Sequence, residues 1–141
     1  MSARVVVDAS VVFAWLFSEP GLFDRSDAML MVLKTSRVLV PATWQTEVAN
    51  VLVVRERQRR IGEAVVKKSL RLLEELNVEV DAGAATSALD QVLPIARRHQ
   101  LTAYDAAYLE LAMRERCPLA TFDDALAAAA KLEGVEVFTS V

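Results

Sequence analysis

Short apolar runs alternate with longer segments of helical character along the whole chain. The runs, rich in valine and leucine, are predicted as strands at residues 4–8, 37–40, 78–80, 119–121 and 135–138. The segments between them are predicted as helices at 11–17, 22–34, 43–60, 63–76, 84–100, 102–117 and 123–132. Because strands alternate with one or two helices, the pattern predicts an α/β fold with a mainly parallel sheet.

Three hydroxyl residues stand near the predicted helix starts. Ser10 could cap the first helix, or it could donate a hydrogen bond to a nearby carboxylate. Thr102 and Thr121 each precede an aspartate by three residues, which is the spacing of a capping box. Thr121 could instead donate a hydrogen bond to a carboxylate.

Two of the predicted helices have further features. Pro94 predicts a kink or a boundary within the helix at 84–100. The segment 102–117 is expected to form a strongly amphipathic helix.

The composition limits the class of protein. The 141 residues suit a single domain spanning 1–141, and a hydrophobic fraction of 54% suits a sheet covered on both faces. One cysteine and one histidine exclude an intrachain disulfide framework and a Cys/His zinc site. No uninterrupted apolar stretch is long enough to span a bilayer, so a cytoplasmic protein is expected. A net charge of −3 gives no overall attraction to nucleic acid.

Four acidic residues share one kind of position, just past an apolar run or early in the helix that follows. They are Asp8, Glu47, Asp105 and Asp123. Positions just beyond the carboxyl ends of parallel strands share one rim of the sheet, so these carboxylates could meet in space. Such a cluster is costly unless a cation neutralises it, and the pattern therefore suggests a site for Mg²⁺ or Mn²⁺.

Each acid also has a purely structural interpretation. Asp8 could cap the helix after it, and Glu47 could simply favour the positive end of a helix dipole. Asp105 fits the capping box that begins at Thr102, a role compatible with binding an ion. Of the adjacent pair, Asp123 is the better ligand candidate, and Asp124 is expected at the surface or in an outer role.

The order and spacing of these segments resemble the PIN-domain family, and within it the VapC-type toxins of toxin–antitoxin pairs. The matching motifs are Val7-Asp8-Ala9-Ser10, Glu47-Val48-Ala49-Asn50, the segment 101–112 and the segment 119–126. The likeness runs from residue 5 to about 137. Its most specific parts are the Tyr-Asp-Ala-Ala-Tyr helix start and the Thr-x-Asp-x-x-Leu segment.

The resemblance implies a fold, an activity and partners. The expected fold is a PIN-like three-layer α/β/α arrangement around about five mainly parallel strands. The expected activity is that of a metal-dependent endoribonuclease, acting as a homodimer and neutralised by a cognate antitoxin protein. The family's acidic site matches all four acids, and its supporting polar positions match Ser10, Asn50 and Thr121.

The chemistry expected of such a site is hydrolysis of RNA phosphodiesters by a metal-activated water. A divalent cation lowers the pKa of the water it binds and screens the anionic phosphate. Asp8, Asp105 and Asp123 are the expected direct ligands of Mg²⁺ or Mn²⁺. Glu47 is expected to be a ligand, an acceptor for a bound water or a proton acceptor.

RNA also needs a surface to hold it. The basic candidates, each equally explained as a solvated face, are Arg55, Arg57, Arg59, Arg60, Lys67, Lys68, Arg97, Arg98, Arg114 and Arg116. Tyr104 is a candidate for stacking on an unpaired base, whereas Trp15 and Trp44 better suit the core. His99 is expected to be solvated or to contact phosphate weakly.

Two other functions remain open from the residues. A non-catalytic PIN-like protein-binding domain could use the acids to hold a structural metal ion. A receiver or phosphatase domain would also place an aspartate after its first strand. The phosphatase pattern requires a second aspartate two residues later, where this chain has Ser10. A receiver domain requires a second acidic residue beside the aspartate that corresponds to Asp8.

Overall fold

Valine-rich segments form the sheet at the centre of the molecule. The computed structural model describes residues 3–17, 29, 31, 33–82 and 88–138. Within these ranges the strands are β1 (Arg4–Val7), β2 (Arg37–Val40), β3 (Val78–Val80), β4 (Leu119–Ala120) and β5 (Val137–Phe138). Their order is β3-β2-β1-β4-β5, and every neighbouring pair is parallel. The predicted sheet of about five mainly parallel strands is confirmed.

Helices connect these strands in the described ranges. They are α1 (Ala9–Leu16), α2 (Trp44–Arg57), α3 (Glu63–Glu74), α4 (Leu93–His99), α5 (Ala103–Glu115) and α6 (Asp124–Leu132). A π-helical turn, Ala88–Val92, leads into α4, so Pro94 lies at the start of a helix and not at a kink within one. The helix predicted at 22–34 lies mostly outside the described residues. Across the described ranges, no helix is both long and apolar enough to cross a membrane.

The strand order divides the helices into two layers. The chain steps outward from β1 through β2 to β3, then returns past β1 to reach β4 and β5. Because parallel crossovers are right-handed, the outward and return steps place their helices on opposite faces. The packing agrees, since α2 contacts α1 and α3, whereas α5 contacts α4, α6, β1 and β4. The expected three-layer α/β/α architecture is confirmed.

The core lies where the central strands meet these layers. Val6 and Val7 of β1 are fully buried, as expected for a strand covered on both faces. Trp15 and Trp44 are also buried, which confirms their structural interpretation. The expectation of a strongly amphipathic helix at 102–117 is wrong, because α5 buries five consecutive residues, 108–112. It lies between two other helices and against the sheet, so neighbours cover most of its circumference.

A buried ion-pair network ties α5 to the end of β3. Arg114 places Nη2 2.6 Å from Oδ2 of Asp81 and Nε 2.9 Å from Oε1 of Glu110. Both carboxylates are buried, so the guanidinium neutralises charges that would otherwise be isolated from water. Arg114 was a candidate RNA contact, but its guanidinium is engaged by these two carboxylates.

Two other basic candidates also face inward or pair locally. The side chain of His99 is almost fully buried, with Nε2 3.6 Å from Oε2 of Glu133. The expectation that His99 is solvated is therefore wrong, because α4 packs closely enough on the core to cover it. Arg98 binds the same Glu133 carboxylate at 2.6 Å.

We expect Arg114→Ala to lower the free energy of unfolding by about 2–4 kcal/mol. Removing one partner of a buried ion pair costs about 3–5 kcal/mol, and the 35% exposure of the Arg114 side chain reduces that figure. Arg98→Ala is the matched control, since its pair is 54% exposed on the arginine side and should contribute less than about 1 kcal/mol. Urea denaturation of both variants measures the difference. Equal losses would show that the Arg114 network does not stabilise the fold.

Candidate metal centre

The predicted acids gather around the point where the two helix layers diverge. β1 and β4 are neighbours whose following helices leave toward opposite faces, and this is the position where open α/β sheets bind ligands. Asp8 follows β1 directly, and Asp123 lies three residues after the end of β4. Glu47 and Asp105 lie in the first turns of α2 and α5.

Asp8 is held by two hydroxyl groups. Its carboxylate is buried, with 4% of the residue exposed. Oδ2 accepts hydrogen bonds from Oγ of Ser10 at 2.7 Å and from Oγ1 of Thr121 at 2.8 Å. Each hydroxyl in turn accepts a backbone N–H, from Phe122 at 3.2 Å and from Asp123 at 3.0 Å. Both hydroxyls are therefore oriented as donors toward Asp8.

These contacts decide between the two interpretations of Ser10 and Thr121. Neither residue caps a helix. Asp8 occupies the N-cap position of α1 without a side-chain capping bond. Asp123 caps α6, with Oδ1 accepting the N–H of Leu126 at 2.9 Å. The capping box predicted at Thr121 is wrong, because β4 ends at Ala120 and α6 begins only after Asp123.

The capping prediction at Thr102 is confirmed. Oγ1 of Thr102 accepts the backbone N–H of Asp105 at 3.1 Å, which fixes the first turn of α5. Asp105 is half-buried there. Asp124 is exposed, as expected for the outer member of its pair. Asn50 is exposed one turn after Glu47, and among the described residues it makes no hydrogen bond to the four acids.

Glu47 has a partner that sequence reasoning did not assign. Its Oε1 accepts hydrogen bonds from Oγ1 of Thr43 at 3.2 Å and from the hydroxyl of Tyr108 at 3.4 Å. Tyr108 is fully buried, and burial together with the nearby negative charge raises the pKa of its phenol. The phenol therefore stays protonated and donates. One feature of the sequence could have indicated Tyr108. It lies three residues after Asp105, and this spacing places the two side chains on one face of α5.

The four carboxylates interact through space. Burial raises the pKa of Asp8, and the charges of Asp105 and Asp123 raise it further. Burial likewise raises the pKa of Glu47, with contributions from Asp8 and Asp105. The pKa of Asp105 is raised by burial and then by Asp123. Each acid thus acts electrostatically on at least one other, and all four share one negative environment.

A family comparison identifies this architecture. The PIN-domain family model matches residues 5–132 of this chain. The chain belongs to the PIN-domain family. This confirms the resemblance inferred from the motifs, and PIN domains are generally nucleases.

Solved structures share the fold over nearly the whole chain. PAE2754 from Pyrobaculum aerophilum is 26% identical with a TM-score of 0.69, covering 97% of this chain and 92% of that one. VapBC2 from Rickettsia felis, bound to a DNA fragment from its promoter, is 10% identical with a TM-score of 0.68 over 98% and 99%. FitAB bound to an IR36 DNA fragment is 18% identical with a TM-score of 0.63 over 95% and 93%. A comparison with curated proteins gives no match.

The hydrogen bonds of this PIN domain engage one oxygen in each of three acids. Among the described residues, the bonds to Asp8, Glu47 and Asp123 each reach a single oxygen, Oδ2, Oε1 and Oδ1 respectively. The second oxygen of each carboxylate accepts no hydrogen bond from these residues. An all-oxygen donor set suits Mg²⁺ or Mn²⁺ better than zinc.

The placement of these side chains also limits how an ion could be bound. Over the described ranges, no group of three or more Asp, Glu, His or Cys side chains is arranged to hold a metal ion directly. Mg²⁺ usually keeps several waters and contacts only one or two carboxylates. The residues therefore fit a hydrated dication, touched directly by few carboxylates and reached by the others through water.

Asp8→Asn should stabilise the metal-free protein at pH 7, by about 0.5–2 kcal/mol. The folded pKa of Asp8 is raised above its ordinary 3.8, so the folded state binds the proton more tightly than the unfolded chain. That proton-linked stability is present near the unfolded pKa and is lost as the pH rises through the folded pKa. The variant has no such loss, because its amide does not ionise.

Urea denaturation in EDTA at several pH values between 4 and 8 measures this effect. The parent should lose stability relative to Asp8→Asn as the pH rises. Asp124→Asn, which removes an exposed carboxylate nearby, is the control and should not reproduce the divergence. Parallel pH profiles of parent and Asp8→Asn would contradict the prediction.

Proposed function

We propose that this PIN domain is a metal-dependent endoribonuclease and the toxin of a toxin–antitoxin pair. The observation that supports this most is the placement of Asp8, hydrogen-bonded to Ser10 and Thr121 where β1 and β4 end, with Asp123 following β4 and the charges of Glu47 and Asp105 close enough to interact with the cluster. Such crowding of carboxylates is unfavourable by itself and favourable around a dication. Because PIN domains are generally nucleases, such a dication would take part in phosphodiester hydrolysis.

We propose that Asp8, Asp105 and Asp123 hold Mg²⁺ or Mn²⁺, directly or through its waters. When bound, the ion would lower the pKa of a coordinated water and offset the negative charge of an RNA phosphate. Ser10 and Thr121 keep Asp8 in one rotamer, so the oxygen opposite their bonds points to a fixed place. The N-cap bond of Asp123 restrains that carboxylate in the same way.

Glu47 is proposed to hold a water of the ion or to accept the proton of the attacking water. Its raised pKa makes it a stronger base than an exposed glutamate. Thr43 and Tyr108 both bind Oε1 and so leave Oε2 as the oxygen that would receive the proton. Attack of the water oxygen on phosphorus, in line with the leaving 3′ oxygen, would then break the P–O3′ bond and leave a 5′-phosphate, and the 3′ oxygen would take its proton from solvent.

We infer the toxin role from the similarity of this fold to solved structures. VapBC2 and FitAB are DNA-bound in their solved structures, and both share this fold over almost the whole chain. We propose that this chain likewise pairs with an antitoxin protein, and that it forms a homodimer. An adjacent open reading frame encoding a small antitoxin-like protein would support the pairing.

RNA cleavage in the presence of Mg²⁺ or Mn²⁺ tests the nuclease. We expect cleavage by the parent, its loss in EDTA, and a decrease of at least about 100-fold in kcat for Asp8→Asn. Outer groups that orient metal ligands typically contribute 10–100-fold, so a ligand should contribute more. If parent and Asp8→Asn were equally active, or equally inert under broad conditions, the nuclease assignment would fail for this site.

The adjacent aspartates allow a charge-matched comparison. Asp123→Asn keeps an efficient N-cap for α6 while removing one negative charge from the cluster. Asp124→Asn removes the same charge one residue later, from an exposed side chain. We expect Asp123→Asn to lower kcat by about 10-fold or more and to weaken the binding of Mg²⁺. Asp124→Asn should cleave RNA like the parent. Equal effects would assign the loss to general charge and not to ion binding.

A further inference from the structure

A groove lies directly beside the acidic cluster. It has a volume of about 640 Å³, and its walls come from α1, α2 and the first turn of α5. Glu47 belongs both to this groove and to the acidic cluster, so the groove adjoins the cluster at this residue. Whatever occupies the groove therefore lies next to the reacting centre of the proposed nuclease.

An exposed aromatic ring forms one wall of this groove. Tyr104 precedes Asp105 in the first turn of α5, yet 62% of it is exposed. Phe13 lines another wall and is held by stacking on Phe17, with ring centroids 6.0 Å apart. Exposed aromatic rings at the edge of a cleft are suited to stacking on flat, polar-edged groups.

The charge of the groove distinguishes between the parts of a nucleotide. Among its described lining residues the charged one is Glu47, an acid. A phosphate would be repelled there, whereas an uncharged base would not. Thr46 and Asn50 supply exposed polar groups, and the amide of Asn50 offers both a donor and an acceptor. The lining thus matches a base edge and face and does not match a phosphate.

We propose that this groove holds an unpaired nucleobase adjacent to the scissile phosphate, stacked on Tyr104 with its edge toward Asn50. The proposal rests on the proposed ribonuclease function for the position of the phosphate. The groove would take its base from a single-stranded segment. A base inside a duplex is already stacked on both faces and paired on its edge, so it cannot enter the groove.

Binding of a fluorescent oligonucleotide tests the proposal without requiring catalysis. The probe is a single-stranded oligoribonucleotide containing 2-aminopurine, whose fluorescence falls when the base stacks, and the buffer contains EDTA. The parent should quench the probe. Tyr104→Ala should weaken the Kd by roughly 5- to 100-fold and abolish the quenching, since base stacking has about this value. Tyr104→Phe keeps the ring and should retain both.

Controls separate stacking from loss of fold. Leu132→Ala removes another exposed apolar side chain, at the end of α6 and outside the groove, and should bind like the parent. Circular dichroism melting should be unchanged in the Tyr104 variants because the ring is mostly exposed. A duplex carrying the same 2-aminopurine should show no quenching.

The outcomes distinguish this proposal from the nuclease itself. Unchanged Kd and quenching in Tyr104→Ala would overturn the base site and leave the nuclease untouched. The same result with reduced recovery of a co-purified antitoxin would assign the groove to a protein partner, which also overturns it. Quenching that depends on Tyr104, without cleavage by any variant, would support the base site while the ribonuclease assignment fails.

Discussion

The burial of one carboxylate, that of Asp8, is the constraint on which the site depends. A buried carboxylate is costly unless hydrogen bonds or a cation compensate it. Here the compensation comes from hydroxyls of Ser10 and Thr121, which are themselves oriented by backbone N–H groups beyond β4. The ends of the two central strands are consequently fixed to each other through the side chain of Asp8. A shift of either strand end would break this network and displace the acid.

The protein treats its buried and half-buried acids in two different ways. Asp81 and Glu110 are neutralised by Arg114, and their role is to hold β3 and α5 together. The carboxylates of Asp8, Glu47 and Asp123 receive hydroxyl and backbone donors, and within the described ranges no arginine or lysine forms an ion pair with them or with Asp105. In the function proposed above, an arginine there would lower their repulsion but would occupy the place of a dication. Burial, together with the neighbouring carboxylates, raises the pKa values of Asp8, Glu47 and Asp105, and a bound dication would relieve that electrostatic cost.

The sequence was sufficient for the sheet and for the rough position of the acids. Valine runs define buried parallel strands, and the topology of such a sheet brings residues after β1 and β4 to one rim. It was insufficient wherever the answer depended on a tertiary contact. The bond from Tyr108 to Glu47 joins residues 61 positions apart, and no local pattern encodes it. The cap of α6 was misplaced by two residues because β4 ends one residue earlier than its apolar run, which leaves Thr121 free to bind Asp8.

In the function proposed above, affinity for RNA would come from few contacts. The net charge is −3, and three of the basic candidates, Lys67, Arg98 and Arg114, are engaged with acids of the same molecule. Non-specific attraction to the phosphate backbone is therefore weak compared with that of a basic nucleic-acid-binding protein. A bound dication would supply the local positive charge at the scissile phosphate, and a stacked base would supply contact that does not depend on charge. In this proposal an acidic cluster can adjoin a groove whose described lining carries no cationic side chain, since each would receive the part of a nucleotide that the other repels or cannot hold.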